Sequence, residues 1–249
     1  MSVNCRDRNI ERLGSAHPQM DLSCGLAVNS NGKNGIDLMK DWLQWLIGLP
    51  TDNNPLLHEY DPFTDNNQSR RTGSPLGKPV KGVLFLAPSN YAAGGAEYYR
   101  NYLVVPLGEW HIFFCPYIIF NSTLEYPSRT EQELYDSAKR QVDSVYKLEA
   151  SVDGISTECF RVPIEPKDAV EIKGIPDKNV LGIGAEEISS DGSLRIVGDG
   201  YGCCLNPLPA GLHTLNFKGY SPSYSVDTQF TLNVRGPSTK PGVQNTQST

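Results

Sequence analysis

Apolar and polar positions divide the chain into a few strongly periodic segments separated by long polar ones. The first periodic segment is Ile36-Asp-Leu-Met-Lys-Asp-Trp-Leu-Gln-Trp-Leu-Ile47. Apolar side chains at Ile36, Met39, Leu43, Leu46 and Ile47 follow the 3.6-residue period of a helix, with Trp42 and Trp45 flanking the stripe. Gly48 and Pro50 stop it in the order that ends helices. A second helix is predicted over 131–147. Thr130 and Glu133 form a T-x-x-E capping box, and Leu134, Ala138, Val142 and Val145 recur on one face. Both helices are short and amphipathic, so each must lie on an apolar surface.

The remaining periodic segments have the two-residue period or the β-branched and aromatic enrichment of strands. They are Val83–Ala87, Tyr98–Val105, Trp110–Phe120 with an interruption at Pro116, and Leu194–Val197. Leu148, Ala150 and Val152 alternate with polar residues up to Asp153-Gly154. That dipeptide predicts a type I′ turn, because Gly tolerates positive φ, with Ile155–Val162 returning. The last hairpin pairs Leu212–Phe217 with Phe230–Val234 across a loop at 218–227. Leu212, Thr214 and Asn216 share one face, and His213, Leu215 and Phe217 share the other. A Gly- and Pro-rich turn system, Asp199–Gly211, precedes this hairpin. Residues 163–192 read as loops and edge strands.

Short strands with frequent turn signals, and only two helices, predict a mainly β fold: an antiparallel β-sandwich or jelly roll with two packed α-helices. Residues 35–235 read as a single domain. Residues 1–34 read as an irregular arm, and 236–249 as a disordered tail. Residues 51–80 form a long polar loop, of a length that is usually functional or mobile.

Among its 249 residues the chain has a formal net charge of −6 and no Lys/Arg block denser than Arg70-Arg71. An acidic surface of this kind excludes nucleic acid as a partner, since counterion release needs a basic face. No run of about 18 apolar residues predicts a membrane span. The first residues, Met-Ser-Val-Asn-Cys-Arg-Asp-Arg, lack the apolar core of a secretory signal. The expected location is therefore cytoplasmic, or extracytoplasmic if a signal has been removed. Six cysteines allow up to three disulfides. Cys115, inside an apolar run, reads as a buried thiol. The adjacent Cys203 and Cys204 are unsuited to bonding each other, and Cys5 with Cys24 is the favoured bridge.

Three blocks carry a resemblance. They are Val83-Leu-Phe-Leu-Ala-Pro88, Val104-Val-Pro-Leu-Gly-Glu-Trp-His-Ile-Phe-Phe-Cys-Pro116, and the stretch from Asp199-Gly-Tyr-Gly to His213-Thr-Leu-Asn-Phe217. Together they resemble a family of uncharacterised bacterial and archaeal proteins, many with signal peptides. There a FLAG-like strand, a VPAG…FFP-like strand and a DGYW…LxPLxxGxHTIxF-like hairpin occur in the same order. The resemblance spans roughly residues 40–235. This chain departs from it at Pro88, Leu107 and Gly202, which stand for Gly, Ala and Trp. The resemblance implies a fold and an extracytoplasmic tendency and brings no activity with it.

Candidate chemistry is sparse. No nucleophile elbow, P-loop or dinucleotide fingerprint is present, and the Gly198-x-Gly200-x-Gly202 run is not followed by the helix that would hold a phosphate. A Cys203/Cys204/His213 zinc site is conceivable, although no fourth ligand is in view. The oxygen-rich loop from Asp52 to Asn67 makes calcium a candidate cofactor, with Asp61 and Asp65 as ligands. Asp and Asn are also the default turn residues.

The densest cluster is aromatic: Tyr98, Tyr99, Tyr102, Trp110 and Tyr117, with Glu97, Arg100, Glu109 and His111 interleaved. On adjacent strands, alternate members would share a face able to stack on a sugar ring or hold a flat ligand. Such rings also serve simply as core. The leading expectation is a ligand-binding or interaction protein for a carbohydrate or small molecule. The alternatives are a hydrolase, lyase or cyclase using Glu97, Arg100, Glu109 and His111, and a structural subunit of an assembly.

Overall fold

The computed structural model describes residues 35–54, 82–88, 99–108, 110–183 and 193–236. The arm at 1–34, nearly all of the polar loop and the tail beyond 236 lie outside them. Helix α1 spans Gly35–Ile47, and buries Leu38, Met39, Trp42, Leu43, Trp45, Leu46 and Ile47. The Trp42 indole N–H donates to the Leu86 carbonyl at 2.8 Å. Buried Asn54 donates through Nδ2 to the Leu46 carbonyl at 2.7 Å, serving one of the acceptors that a helix end leaves open.

Ten strands follow among the described residues: β1 (Val83–Leu86), β2 (Tyr99–Pro106), β3 (His111–Ser122), β4 (Lys147–Val152), β5 (Ile155–Ser156), β6 (Phe160–Arg161), β7 (Val170–Lys173), β8 (Ser193–Leu205), β9 (Gly211–Tyr220) and β10 (Ser225–Arg235), with helix α2 (Glu131–Asp143) between β3 and β4. One sheet runs β1-β3-β8-β6, with β7 also on β8; the other runs β2-β10-β9-β4-β5. The two sheets pack as a β-sandwich-like fold with two helices. Each sheet departs from the expected antiparallel pattern at one place, β1 running parallel to β3 and β2 parallel to β10.

Alternation on the strands sorts the apolar residues into two cores. Leu84, Leu86, Ile112, Phe114, Cys203 and Leu205 of the first sheet face Leu103, Val105, Leu215, Phe217, Phe230 and Leu232 of the second. The Phe114 and Phe217 rings stack across this boundary at 4.8 Å. On the other side of the first sheet, α1 packs over Val83, Phe85, Phe113, Cys115 and Ile196. The Cys115 thiol is buried and free, as the apolar run around it predicts, and burial pushes it up well above the ordinary thiol range. Helix α2 covers the stretch of β3 and β8 around Val197 with Leu134 and Tyr135.

Several boundaries differ from the sequence reading. Helix α2 has the full Thr130–Glu133 capping box but stops at Asp143, not near 147, with Ser144 capping it through Gln141 and Val142. The Asp153-Gly154 turn has φ of 51° and 79°, as a type I′ turn requires. Its returning arm pairs for two residues only; the chain then crosses to the first sheet as β6. The final hairpin is longer than expected. Leu212–Phe217 pairs with Thr228–Asn233, and the loop shrinks to a turn around Ser221–Tyr224.

The largest departure is β8. The expected strand Leu194–Val197 continues unbroken to Leu205, through what reads as a turn system. The glycines serve close approach, not turning. A Cβ on Gly200 would lie 2.9 Å from the Ile118 Cα, and one on Gly202 would lie 2.9 Å from the Phe113 ring. Strand β3 therefore crowds β8 along the Gly198–Gly202 run, where only glycine fits.

Candidate functional site

Along β9 the outer face of the second sheet is polar from Thr214 to Tyr220, with the exposed Leu212 at its far end. Thr214, Asn216, Lys218 and Tyr220 alternate on β9 with the buried His213, Leu215 and Phe217. Pairing aligns Lys218 with Asp227 and Glu149, and Tyr220 with Ser225 and Lys147. The end of the face where Tyr220 lies holds a compact aromatic and ionic group.

The Tyr220 ring sits 6.4 Å from that of Tyr146, with 33° between their planes. Tyr146 precedes β4, and its N–H donates to the Tyr220 carbonyl at 3.0 Å, which fixes the two residues side by side. Tyr146 is 71% exposed. The Tyr220 hydroxyl donates to Asp227 Oδ2 at 2.7 Å, and Lys218 Nζ donates to the same oxygen at 3.0 Å. The other oxygen, Oδ1, is buried and has no hydrogen-bond partner among the described residues. Lys147 Nζ lies 5.7 Å from the Tyr220 ring centroid and 3.4 Å from Glu149 Oε2.

Donation to the Asp227 carboxylate pushes the Tyr220 hydroxyl up to about 12; burial and the charges of Asp227 and Glu149 act in the same direction. The unfolded chain therefore releases this proton at lower pH than the native protein. The contribution to stability is present below the ordinary tyrosine range and lost as pH rises through about 12. Asp227→Asn is expected to bring this ionisation down toward about 10, read as tyrosinate absorbance in an alkaline titration. An unchanged titration curve would contradict the assignment.

A second feature is a cleft of about 500 Å³ where α1 begins, walled by Ile36, Phe160, Arg161, Val162, Glu165 and Lys167 among others. Arg161 is wired into the fold. Its Nε and Nη2 donate to Asp199 at 2.6–3.1 Å, and Nη2 lies 2.7 Å from Asp143 Oδ1 on α2. Asp199 also accepts the Gly200 N–H at 2.8 Å.

The described residues among those singled out in the sequence are divided between two sheets. Strands β2 and β3 lie in different sheets, so the premise of adjacent strands fails. Tyr117 is 0% exposed, and its hydroxyl donates to Ser221 Oγ at 2.8 Å; it is core rather than a ligand platform. His111 is 6% exposed and opens β3 opposite Val83, while Trp110 is half-buried just before it. Tyr99, Arg100 and Tyr102 run alongside Thr228, Gln229 and Thr231 in backbone register. Glu97, Tyr98, Glu109, Asp61 and Asp65 lie outside the described residues, as does the Cys5–Cys24 pairing.

The Cys203/Cys204/His213 zinc site is ruled out. Cys203 is bonded to Cys159, Cys204 is also disulfide-bonded, and the His213 ring nitrogens face Asp153 Oδ2 at 2.7 Å and the Pro209 carbonyl at 2.9 Å. Among the described residues no group of three His, Cys, Asp or Glu side chains is placed to hold a metal, and no helix is long and apolar enough to cross a membrane.

Sequence reasoning missed Tyr146 and Tyr220 because one fell at the end of an overlong helix and the other in an overlong loop. The signal was present. The inward alternation of Phe230 and Leu232 extends back through Thr228 and Val226, which carries the hairpin to Tyr220.

No family model matches the chain, and no curated protein does. Among solved structures it is similar to the solution structure of Amebosin, with 10% identity, covering 57% of this chain and 100% of that one, at a TM-score of 0.24. A likeness that weak supports no inference about fold or function.

Proposed function

We propose that the protein is a carbohydrate-binding module whose ligand stacks on the Tyr146–Tyr220 pair. The observation that carries this reading is the pair itself: two neighbouring rings, one largely exposed, beside the Glu149 and Asp227 carboxylates and two ammonium groups. A sugar offers an apolar C–H face and a rim of hydroxyls. Tyrosines match the first, and fixed charged groups match the second. The Tyr220 ring is anchored through its hydroxyl to Asp227, which Lys218 also holds, before any ligand arrives, so its orientation is set in advance of binding. Tyr220 ends strand β9, and Tyr146, just before β4, is tied to it by its N–H bond to the Tyr220 carbonyl, so the sheet positions both rings. The Cys159–Cys203 bond and the bonded Cys204 support work in an oxidising, extracytoplasmic compartment.

The test is calorimetric titration with a panel of soluble oligosaccharides. Tyr146→Ala should weaken binding about tenfold, the loss of one stacked ring. Its circular dichroism should match wild type, since the ring is exposed. Equal affinity in the variant, or a panel without a binder, would show that the platform is not a sugar site.

A further inference from the structure

Resting on that reading, we propose that the sugar taken at this platform is an amino sugar, whose ammonium enters the position now held by Lys147 over the Tyr220 ring.

Lys147 is an internal stand-in for such a ligand. Its Nζ is a primary ammonium, and it sits within the roughly 6 Å over which an aromatic face attracts a cation. Glu149 lies on the same cation at 3.4 Å. Pairing sets Glu149, Lys218 and Asp227 side by side across three strands, one row from Tyr220. The chemistry of the position is therefore a π-face plus a carboxylate, which together attract an ammonium more strongly than they hold a neutral hydroxyl.

The charge balance points the same way. Lys218 already serves Asp227. If Lys147 swings out into water, Glu149 is left without its cation, and the platform carries one uncompensated negative charge. A glucosamine unit restores that charge while its ring covers Tyr146. An N-acetylated unit does not, because its amide is neutral. Lys147 and Glu149 are both exposed, so the displacement breaks only a weak surface pair.

The experiment compares three soluble probes at about pH 6, where the sugar amine is largely protonated. They are a glucosamine hexamer, its fully N-acetylated counterpart and cellohexaose. Wild type should bind the glucosamine hexamer most tightly. Measured relative to cellohexaose, Lys147→Ala, which vacates the ammonium position, should raise that affinity about fivefold, and Glu149→Gln should lower it about fivefold. Equal affinity for the amino and N-acetylated hexamers, or weaker glucosamine binding by Lys147→Ala, would overturn the proposal while leaving the platform a sugar site. Glucosamine binding that survives Tyr146→Ala would be attraction to the acidic chain as a whole, and would overturn it too. Failure of all three probes to bind would remove the carbohydrate reading itself.

Discussion

Trp42→Ala is expected to destabilise the protein by about 4 kcal/mol, the middle of the range for deleting a large buried ring. Trp42 is 1% exposed and sits at the centre of the face that α1 lays on the first sheet. Its ring packs 6.5 Å from that of Trp45, which in turn meets Phe85 at 5.9 Å. Removing it opens a cavity under a helix of thirteen residues that other packing cannot close. It also leaves the Leu86 carbonyl, at the end of β1, without its indole donor. Trp42→Phe separates the two effects. It retains most of the apolar volume and loses the hydrogen bond, so its cost should be about 1–2 kcal/mol. Urea unfolding of both variants, with an unchanged m-value, provides the measurement. A loss below about 1 kcal/mol for Trp42→Ala would mean that α1 contributes little to this core.

How much of this was legible in the sequence depends on whether a feature is local. Helix α1 announces itself because seven buried side chains fall on one stripe and Gly48 closes it. The Thr130–Glu133 box and the Asp153-Gly154 turn are also local, and both occur where their chemistry places them. Strand β8 was hidden because its glycines look like turn residues in isolation. Only the nearness of Ile118 and Phe113 on another strand gives them their reason. The parallel pairing of β1 with β3 and of β2 with β10 is a property of chain order in space, which alternation along a strand does not encode.

The same limit explains the aromatic cluster. Tyr102 and Tyr117 are close in sequence, yet the chain passes from the edge of one sheet to the centre of the other between them. Tyr146 and Tyr220, far apart in sequence, become neighbours through the register of β4 on β9, which sets Lys147 opposite Tyr220. A candidate site made by strand pairing is visible only once that pairing is known. A site made by a contiguous motif would have been visible at once, and this chain carries none of the catalytic motifs sought.

Arg161→Ala is expected to cost about 3 kcal/mol, because it strands a buried carboxylate. The Asp199 side chain is 1% exposed, against 34% for Arg161, so the two partners do not lose equally when the pair is broken. Without the guanidinium, Asp199 retains the Gly200 N–H as its only partner among the described residues. Without the carboxylate, Arg161 still meets Asp143 and water. Asp199→Asn should therefore be the milder change, about 1–2 kcal/mol, since the amide oxygen can still accept from Gly200. The double variant, Arg161→Ala with Asp199→Asn, should be more stable than Arg161→Ala alone, because no uncompensated charge remains in the interior. Thermal or urea unfolding of the three proteins would test this order. If the double variant lost the sum of the two single losses, the residues would be acting independently, and Arg161 would be stabilising the fold through its packing rather than by holding the Asp199 charge.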